Sequence, residues 1–190
     1  MTDWQGPTVA GWSGRVFEDF SVGDIHNHPL GRTITSVDNS WFTMLTLNTN
    51  PIHFDAEYAA QLEHGRPLVN SCFTLALVTG LSVSDISQHA FANLGWDDVR
   101  LPAPVFEGDT IYAQSQVLET RPSQSRPNVG LVRVRTRGFK ADGTVVIEFL
   151  RSILVYRRGH LPDPPRPAAA PPAAAQPPVA PPPTPTEPPS

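Results

Sequence analysis

The sequence predicts an α+β fold in which a curled antiparallel sheet wraps one long buried helix. Three observations point there. Cys72 to Ile86 is apolar nearly all round, with Phe73, Leu75, Leu77, Val78, Leu81 and Val83, and a helix apolar on every face is buried on every face. After Asn93 the chain turns to runs rich in β-branched residues, punctuated by turn signals. About 160 residues precede a Pro/Ala-rich end, enough for a single domain that buries roughly two thirds of its unfolded surface and needs no disulfide or metal for stability. A sheet long enough to curl is the simplest cover for such a helix.

In chain order, residues 1–16 read as an arm rich in Gly, Trp and polar residues, with Trp4 and Trp12 as candidate packing groups. The domain proper is expected over residues 17–158. Phe17 to Gly23 is an aromatic and acidic lead closed by a turn at Gly23-Asp24, and Ile25 to Val37 reads as a strand with Ile34 and Val37 as its apolar positions. Asn39 to Leu47 reads as a helix, because Trp41, Phe42, Met44 and Leu45 recur at three- and four-residue spacing. Asn50-Pro51 ends it and caps a second, short helix over Phe54 to Glu63, with proline at an N-terminal position. Asn70 or Ser71 is the N-cap of the apolar helix. Strands follow at Asp98 to Leu101, Thr110 to Glu119, Gly130 to Phe139 and Val145 to Tyr156, with turns at Gly108-Asp109 and Asp142-Gly143. The second of these is a strong hairpin signal.

Residues 159–190 hold 14 of the 22 prolines and one large aliphatic residue beyond Leu161, Val179. Such a segment buries too little to offset its ordering entropy and is expected to be a disordered, partly polyproline extension. The single cysteine excludes an internal disulfide and a multi-cysteine zinc site. A formal net charge of −4 offers no general attraction to nucleic acid or anionic lipid. Pro67 to Ser84 carries no charge, but its Asn, Ser and Thr residues make it too polar for a bilayer span. No secretory pattern is visible, so a cytoplasmic protein is expected.

Two segments carry residues suited to chemistry. In Thr46 to Asp55, Asn48 precedes His53 by five residues with Pro51 between them. The proline prevents a continuous helix, so both side chains are free to enter one pocket from irregular backbone. A neutral imidazole takes a proton from water and returns it to a carbanion near neutral pH. In Gly65 to Phe73, the loop enters the apolar helix, whose first amides lack internal partners and carry partial positive charge. The N–H groups of Ser71 and Cys72 are therefore candidate oxyanion donors. Taken singly, each segment has a plainer reading, a structural histidine and an ordinary helix cap.

Together they resemble the MaoC-like hydratase family of the hotdog fold, also called the hydratase-2 or R-specific enoyl-CoA hydratase group. Asn50-Pro51-Ile52-His53 matches the second half of the motif Gly-Asp-x-Asn-Pro-Leu-His. Gly65-Arg66-Pro67-Leu68-Val69 fits Phe-Gly-Arg-Pro-Ile-Val-His-Gly-Met, with Asn70-Ser71-Cys72 in place of the last three. Pro104 to Thr110 resembles the family's strand entry. The likeness runs from Phe17 to Arg158, and its nearest subgroup is the mesaconyl-CoA (β-methylmalyl-CoA) or itaconyl-CoA hydratases.

The resemblance implies reversible addition of water to the α,β double bond of a short, branched or dicarboxylic enoyl-CoA thioester, which makes the protein a hydro-lyase. It implies His53 as the catalytic acid or base and Ser71 as the backbone oxyanion donor. Asn48 falls on the family's catalytic aspartate, and an amide accepts no proton as a carboxylate does. Either His53 and a water-orienting Asn48 suffice, or a carboxylate such as Asp55, Glu57 or Glu63 substitutes, or activity is weak. The preserved form of the segment favours the first. Asn50, Arg66, Asn70, Cys72 and Thr79 are the expected substrate-contacting residues, Arg66 toward a substrate carboxylate or a CoA phosphate. No metal or redox cofactor is implied, and a homodimer whose two sheets join edge to edge is. A thioesterase on the same fold and a non-catalytic acyl-CoA-binding subunit are the alternatives. Arg133, Arg135 and Arg137 alternate on one strand face, which reads as a solvated surface with phosphate contact as the sharper reading. His26 and His28 form a His-x-His pair without a third metal ligand in view.

Overall fold

The structure, a computed structural model, describes residues 11–163. Trp4 and the Pro/Ala-rich extension from 164 onward lie outside the described residues. Strands β1 (Ile25–Asn27), β2 (Arg32–Thr33), β3 (Ala90–Arg100), β4 (Thr110–Pro122), β5 (Val129–Lys140) and β6 (Val145–Tyr156) form one antiparallel sheet in the order β1-β4-β5-β6-β3, with β2 also on β4. Helices α1 (Ser36–Leu45), α2 (Ala56–Ala59) and α3 (Ser71–Leu81) lie between β2 and β3, and a π-helical turn, Val83–Ser87, extends α3. The sheet curls on α3, the hotdog arrangement.

Two apolar clusters hold helix to sheet. One joins Val78 of α3 to Ile34, Ile111, Ile147 and Phe149, all at most 1% exposed. The other joins Ile86 of the π turn to Val117, Val132, Val134 and Ile153. Burying one such side chain stabilises the fold by roughly 1.5–3 kcal/mol. Helix α3 packs directly over Gly138, where a Cβ would collide with Val78. The β5–β6 hairpin forms as expected, with Gly143 at φ 87° and the Asp142 carboxylate accepting from the Thr144 N–H at 2.9 Å.

The structure differs from the sequence reading in five places. The strand expected over Ile25 to Val37 breaks between β1 and β2, and Val37 belongs to α1. Thr35 starts that helix through a capping box with Asp38. The Asp38 carboxyl, hydrogen-bonded by Arg32 and Thr35, is lowered to about 2. The faces of α1 are also inverted. Trp41, Met44 and Leu45 are 68%, 71% and 79% exposed, while Asn39 and Thr43 are buried. The helix expected over Phe54 to Glu63 is the single turn of α2, capped by Asp55. Helix α3 is enclosed on one side only, with Thr74 and Val78 buried and Ser71, Cys72, Ala76 and Gly80 exposed. Finally, β3 begins at Ala90 rather than Asp98. Pairing with β6 imposes that extension despite bulges along the pair.

The His-x-His pair is divided by its surroundings. His28 is buried; its Nδ1 lies 3.0 Å from the Asp85 carboxylate and its Nε2 lies 2.9 Å from Ser115 Oγ. Arg15 donates to the other Asp85 oxygen at 2.7 Å. No group of three or more metal-ligating side chains occurs among the described residues. Burial draws the His28 imidazole below its ordinary value, outweighing the opposing pull of Asp85. Burial raises the Asp85 carboxyl, but hydrogen bonds from His28 and Arg15 leave it lowered overall. With both groups depressed, the unfolded chain binds protons more readily, so stability falls as the pH falls. The His28 contribution is present above the ordinary imidazole value of 6.5 and is lost below it. Thermal denaturation should therefore show Tm falling from about pH 7 to about pH 5, and His28→Gln should flatten that slope. A slope unchanged in the variant would assign the acid sensitivity elsewhere.

Candidate active site

The site is assembled from the turn after α1 and the loop into α3. Helix α1 ends at Leu45, and Leu47 takes a left-handed φ of 56°. That conformation is rare for a residue with a branched side chain. It turns the chain so that Asn48 N–H donates to the Thr43 carbonyl at 3.0 Å. Pro51 removes one backbone donor, and two asparagine turns stand in for a helix. Asn48 Oδ1 accepts from the Asn50 N–H at 3.0 Å, and Asn50 Oδ1 accepts from the Ile52 N–H at 3.2 Å. A short 3₁₀ turn, Pro51–His53, follows and delivers His53 inward.

His53 is 8% exposed, and its Nδ1 lies 2.8 Å from the Leu68 carbonyl oxygen. A carbonyl only accepts, so Nδ1 carries the proton and Nε2 is the acceptor nitrogen. Leu68 N–H in turn donates to the Ile52 carbonyl at 3.0 Å. The histidine is thus tied on both sides to the loop that opens α3.

Asn39, which the sequence reading did not single out, is the clasp between these segments. It is wholly buried on α1. Its Nδ2 donates to the His53 carbonyl at 2.8 Å and to the Leu68 carbonyl at 3.2 Å, and its Oδ1 accepts from the Asn70 N–H at 3.0 Å. The available signal was the spacing of Asn39 and Thr43, two polar residues four apart that mark one helix face.

At the start of α3, Asn70 is the N-cap, and its Oδ1 accepts from the Cys72 N–H at 2.9 Å. The Cys72 amide is thereby engaged, whereas the Ser71 N–H has no protein acceptor among the described residues. The Cys72 thiol is exposed. A cavity of about 270 Å³ opens beside Ser71, lined also by Leu68, Val69, Thr74, Leu101 and Val105. A broader groove of about 970 Å³ between Trp12, His89 and Tyr156 contains none of the expected site residues.

Other expected contacts lie further out. Arg66 is exposed, with its guanidinium 3.9 Å above the Phe106 ring. Thr79 sits eight residues along α3 from Ser71, where its hydroxyl accepts from Trp96 Nε1 at 3.3 Å. Arg133, Arg135 and Arg137 contact Asp97, Glu148 and Gln114 along the sheet surface.

A family model described as mesaconyl-CoA hydratase matches residues 10–164. The chain belongs to the mesaconyl-CoA hydratase family. It is 33% identical to a mesaconyl-CoA hydratase of Cereibacter sphaeroides over 159 residues, which are 84% of this chain and 45% of that protein. It is 34% identical to a beta-methylmalyl-CoA dehydratase of Chloroflexus aurantiacus over 155 residues, 82% of this chain and 43% of the relative. A solved structure described as a putative MaoC domain protein dehydratase, also from Chloroflexus aurantiacus, superposes with a TM-score of 0.75 at 31% identity, covering 87% of this chain and 46% of that one. The chain therefore spans less than half the length of these family members.

Proposed function

We propose that this chain catalyses reversible hydration of a short enoyl-CoA thioester of the mesaconyl-CoA type. The observation that carries the reading is His53, whose Nδ1 is held by the Leu68 carbonyl on the loop that leads to the Ser71 amide, which leaves Nε2 free to take a proton. In the hydration direction, Nε2 removes a proton from water and the resulting hydroxide adds to Cβ. The electron pair of the double bond moves through Cα onto the thioester oxygen, where the Ser71 N–H stabilises the enolate. The imidazolium then returns the proton to Cα and the carbonyl re-forms. Asn48 orients the water through the lone pair that Asn50 leaves open. Asn50 and Asn70 shape the backbone around the ester. This route draws only on water and protein groups.

We further assign the partner surface to a second copy of the chain. The outer edge of β3 is unpaired among the described residues and exposes Phe91, Leu94, Trp96 and Val99. An unpaired apolar edge invites strand pairing, and the double length of the relatives fits two such units side by side. A cytoplasmic setting, where CoA esters are held, suits the reaction. Among the described residues no helix is long and apolar enough to cross a membrane.

The test incubates the protein with mesaconyl-CoA and crotonyl-CoA, following enoyl absorbance and free thiol. Loss of absorbance without thiol release is expected. Thiol release would instead indicate a thioesterase, and no change in either a binding subunit. Light scattering on the same sample should give twice the 20.7 kDa chain mass.

A further inference from the structure

The cavity beside Ser71 is walled by two loops stitched together. Val69 N–H donates to the Val105 carbonyl at 2.9 Å, and Leu68 pairs with Phe106 in a short antiparallel bridge. The Leu68 carbonyl on this wall is the one that holds His53 Nδ1, at 2.8 Å. The His53 imidazole, the cavity and the Ser71 amide thus share one stretch of backbone. The lining is mostly apolar. Its polar side chains are His64, Ser71 and Thr74, and no carboxylate lines it among the described residues. The Thr74 hydroxyl is engaged by the Asn70 carbonyl at 3.3 Å. The volume of about 270 Å³ lies just below the range of about 300–1,000 Å³ that takes drug-sized ligands. It suits a short acyl group and is too small for the whole CoA ester.

His64 stands where the motif that this loop resembles has phenylalanine. Gly65, at φ 65°, turns the chain directly after it. The imidazole meets the Phe106 ring at 72°, with centroids 5.5 Å apart. A phenylalanine would make the same edge contact, so the ring nitrogens are what histidine adds. The hydrogen-bonded imidazoles among the described residues are those of His28 and His53, which leaves the His64 nitrogens open to a ligand. Two cations flank the same phenylalanine. The Arg66 guanidinium lies 3.9 Å above Phe106, and Lys140 Nζ lies 5.5 Å from it. Lys140 is paired with Asp109 at 2.8 Å, whereas Arg66 forms no ion pair among the described residues. An imidazole N–H donates to a carboxylate, and a mouth of one charge sign without an opposing carboxylate draws an anion to it.

We propose that His64 donates a hydrogen bond to the distal carboxylate of a dicarboxylic enoyl-CoA ester, whose acyl group occupies this cavity and whose thioester oxygen rests on the Ser71 amide. His64 is then the residue that selects a dicarboxylic over a monocarboxylic acyl group. This deepens the hydratase reading and rests on it. It moves the carboxylate contact from Arg66, which stacks on Phe106 and does not line the cavity, to a side chain that does. Leu101, Ala103 and Val105 offer apolar surface to a methyl branch.

The test compares kcat/KM of the full chain for mesaconyl-CoA and for 2-methylcrotonyl-CoA, the same skeleton with a methyl in place of the carboxylate. The wild type should favour mesaconyl-CoA by about tenfold or more. His64→Phe keeps the ring contact with Phe106 and should reduce that preference by about tenfold, the loss falling on KM for mesaconyl-CoA. His64→Gln retains a donor and should restore part of it. A preference unchanged in His64→Phe overturns the proposal. So does equal loss on both esters, which would leave His64 a packing role beside Phe106. Ala103→Leu, which fills the cavity, should lower kcat/KM for both esters, and if neither changes the acyl group lies outside the cavity and the proposal falls. If His64→Phe does not fold, His64→Ala takes its place with the same expectations. If the wild type hydrates neither ester, the hydratase reading fails separately. Calorimetric titration then decides, since mesaconyl-CoA binding at least about tenfold weaker in His64→Phe than in the wild type supports the carboxylate contact and equal binding overturns it.

Discussion

Replacing His53 by alanine is expected to lower kcat/KM for enoyl-CoA hydration by about 10²- to 10⁴-fold, the range that a positioned acid–base group supplies. The loss should fall on kcat, because the Ser71 amide and the cavity beside it remain in place. Folding should change little. The Leu68 carbonyl that holds the imidazole also accepts from Asn39 at 3.2 Å, so removing the ring leaves that oxygen bonded. Steady-state kinetics beside thermal denaturation separates the two effects. A variant with full activity would show that proton transfer runs through another group, and Asp55, Glu57 and Glu63 would then be the carboxylates to replace.

Asn39→Leu is expected to act on both stability and rate. The substitution is close in volume, yet it strips hydrogen bonds from the His53 carbonyl and the Asn70 N–H inside the protein. Each orphaned buried group costs about 1–3 kcal/mol. The sum, about 2–6 kcal/mol, corresponds to a fall in Tm on the order of 10 °C for a chain of this size. At a temperature where the variant remains folded, kcat should still drop, because His53 and Ser71 are no longer drawn to one another through a common side chain. His53→Ala should lose activity at nearly constant Tm, whereas Asn39→Leu should lose both. An Asn39→Leu variant with wild-type Tm would remove the clasp from the account.

These expectations rest on features of unequal legibility in the sequence. The N-cap at Asn70, the proline turn before His53 and the Asp142-Gly143 hairpin were readable because each depends on neighbours within a few residues. The start of β3 was not, because Phe91 to Asp97 lacks a β-branched run and extends only by pairing with β6, more than fifty residues away in sequence. The burial of α1 was misread for a related reason. Its apolar spacing is helical, but its polar face turns inward to bind the backbone of two loops, and its apolar residues are left exposed. Arg151, a buried cation whose guanidinium donates to the neutral Asn93 and Ser82 side chains, occupied a readable position, since alternation in Val145 to Tyr156 places it inward with Phe149, Ile153 and Val155. A charged residue on the buried face of a strand was the signal.

By itself the sequence determined the fold class, the helix that the sheet must cover, the motif that marks His53 and Ser71, and the family to which they point. Those depend on side-chain periodicity, caps and turn chemistry, which act locally along the chain. Only the tertiary structure decided which nitrogen of His53 is free, which amide at the start of α3 is left open, that Asn39 joins the two segments, and that a cation without a counter-ion lies near the far end of the same helix. Each of these is a contact between groups distant in sequence. Its hydrogen-bond partners and its burial come into existence only when the sheet has closed on the helix.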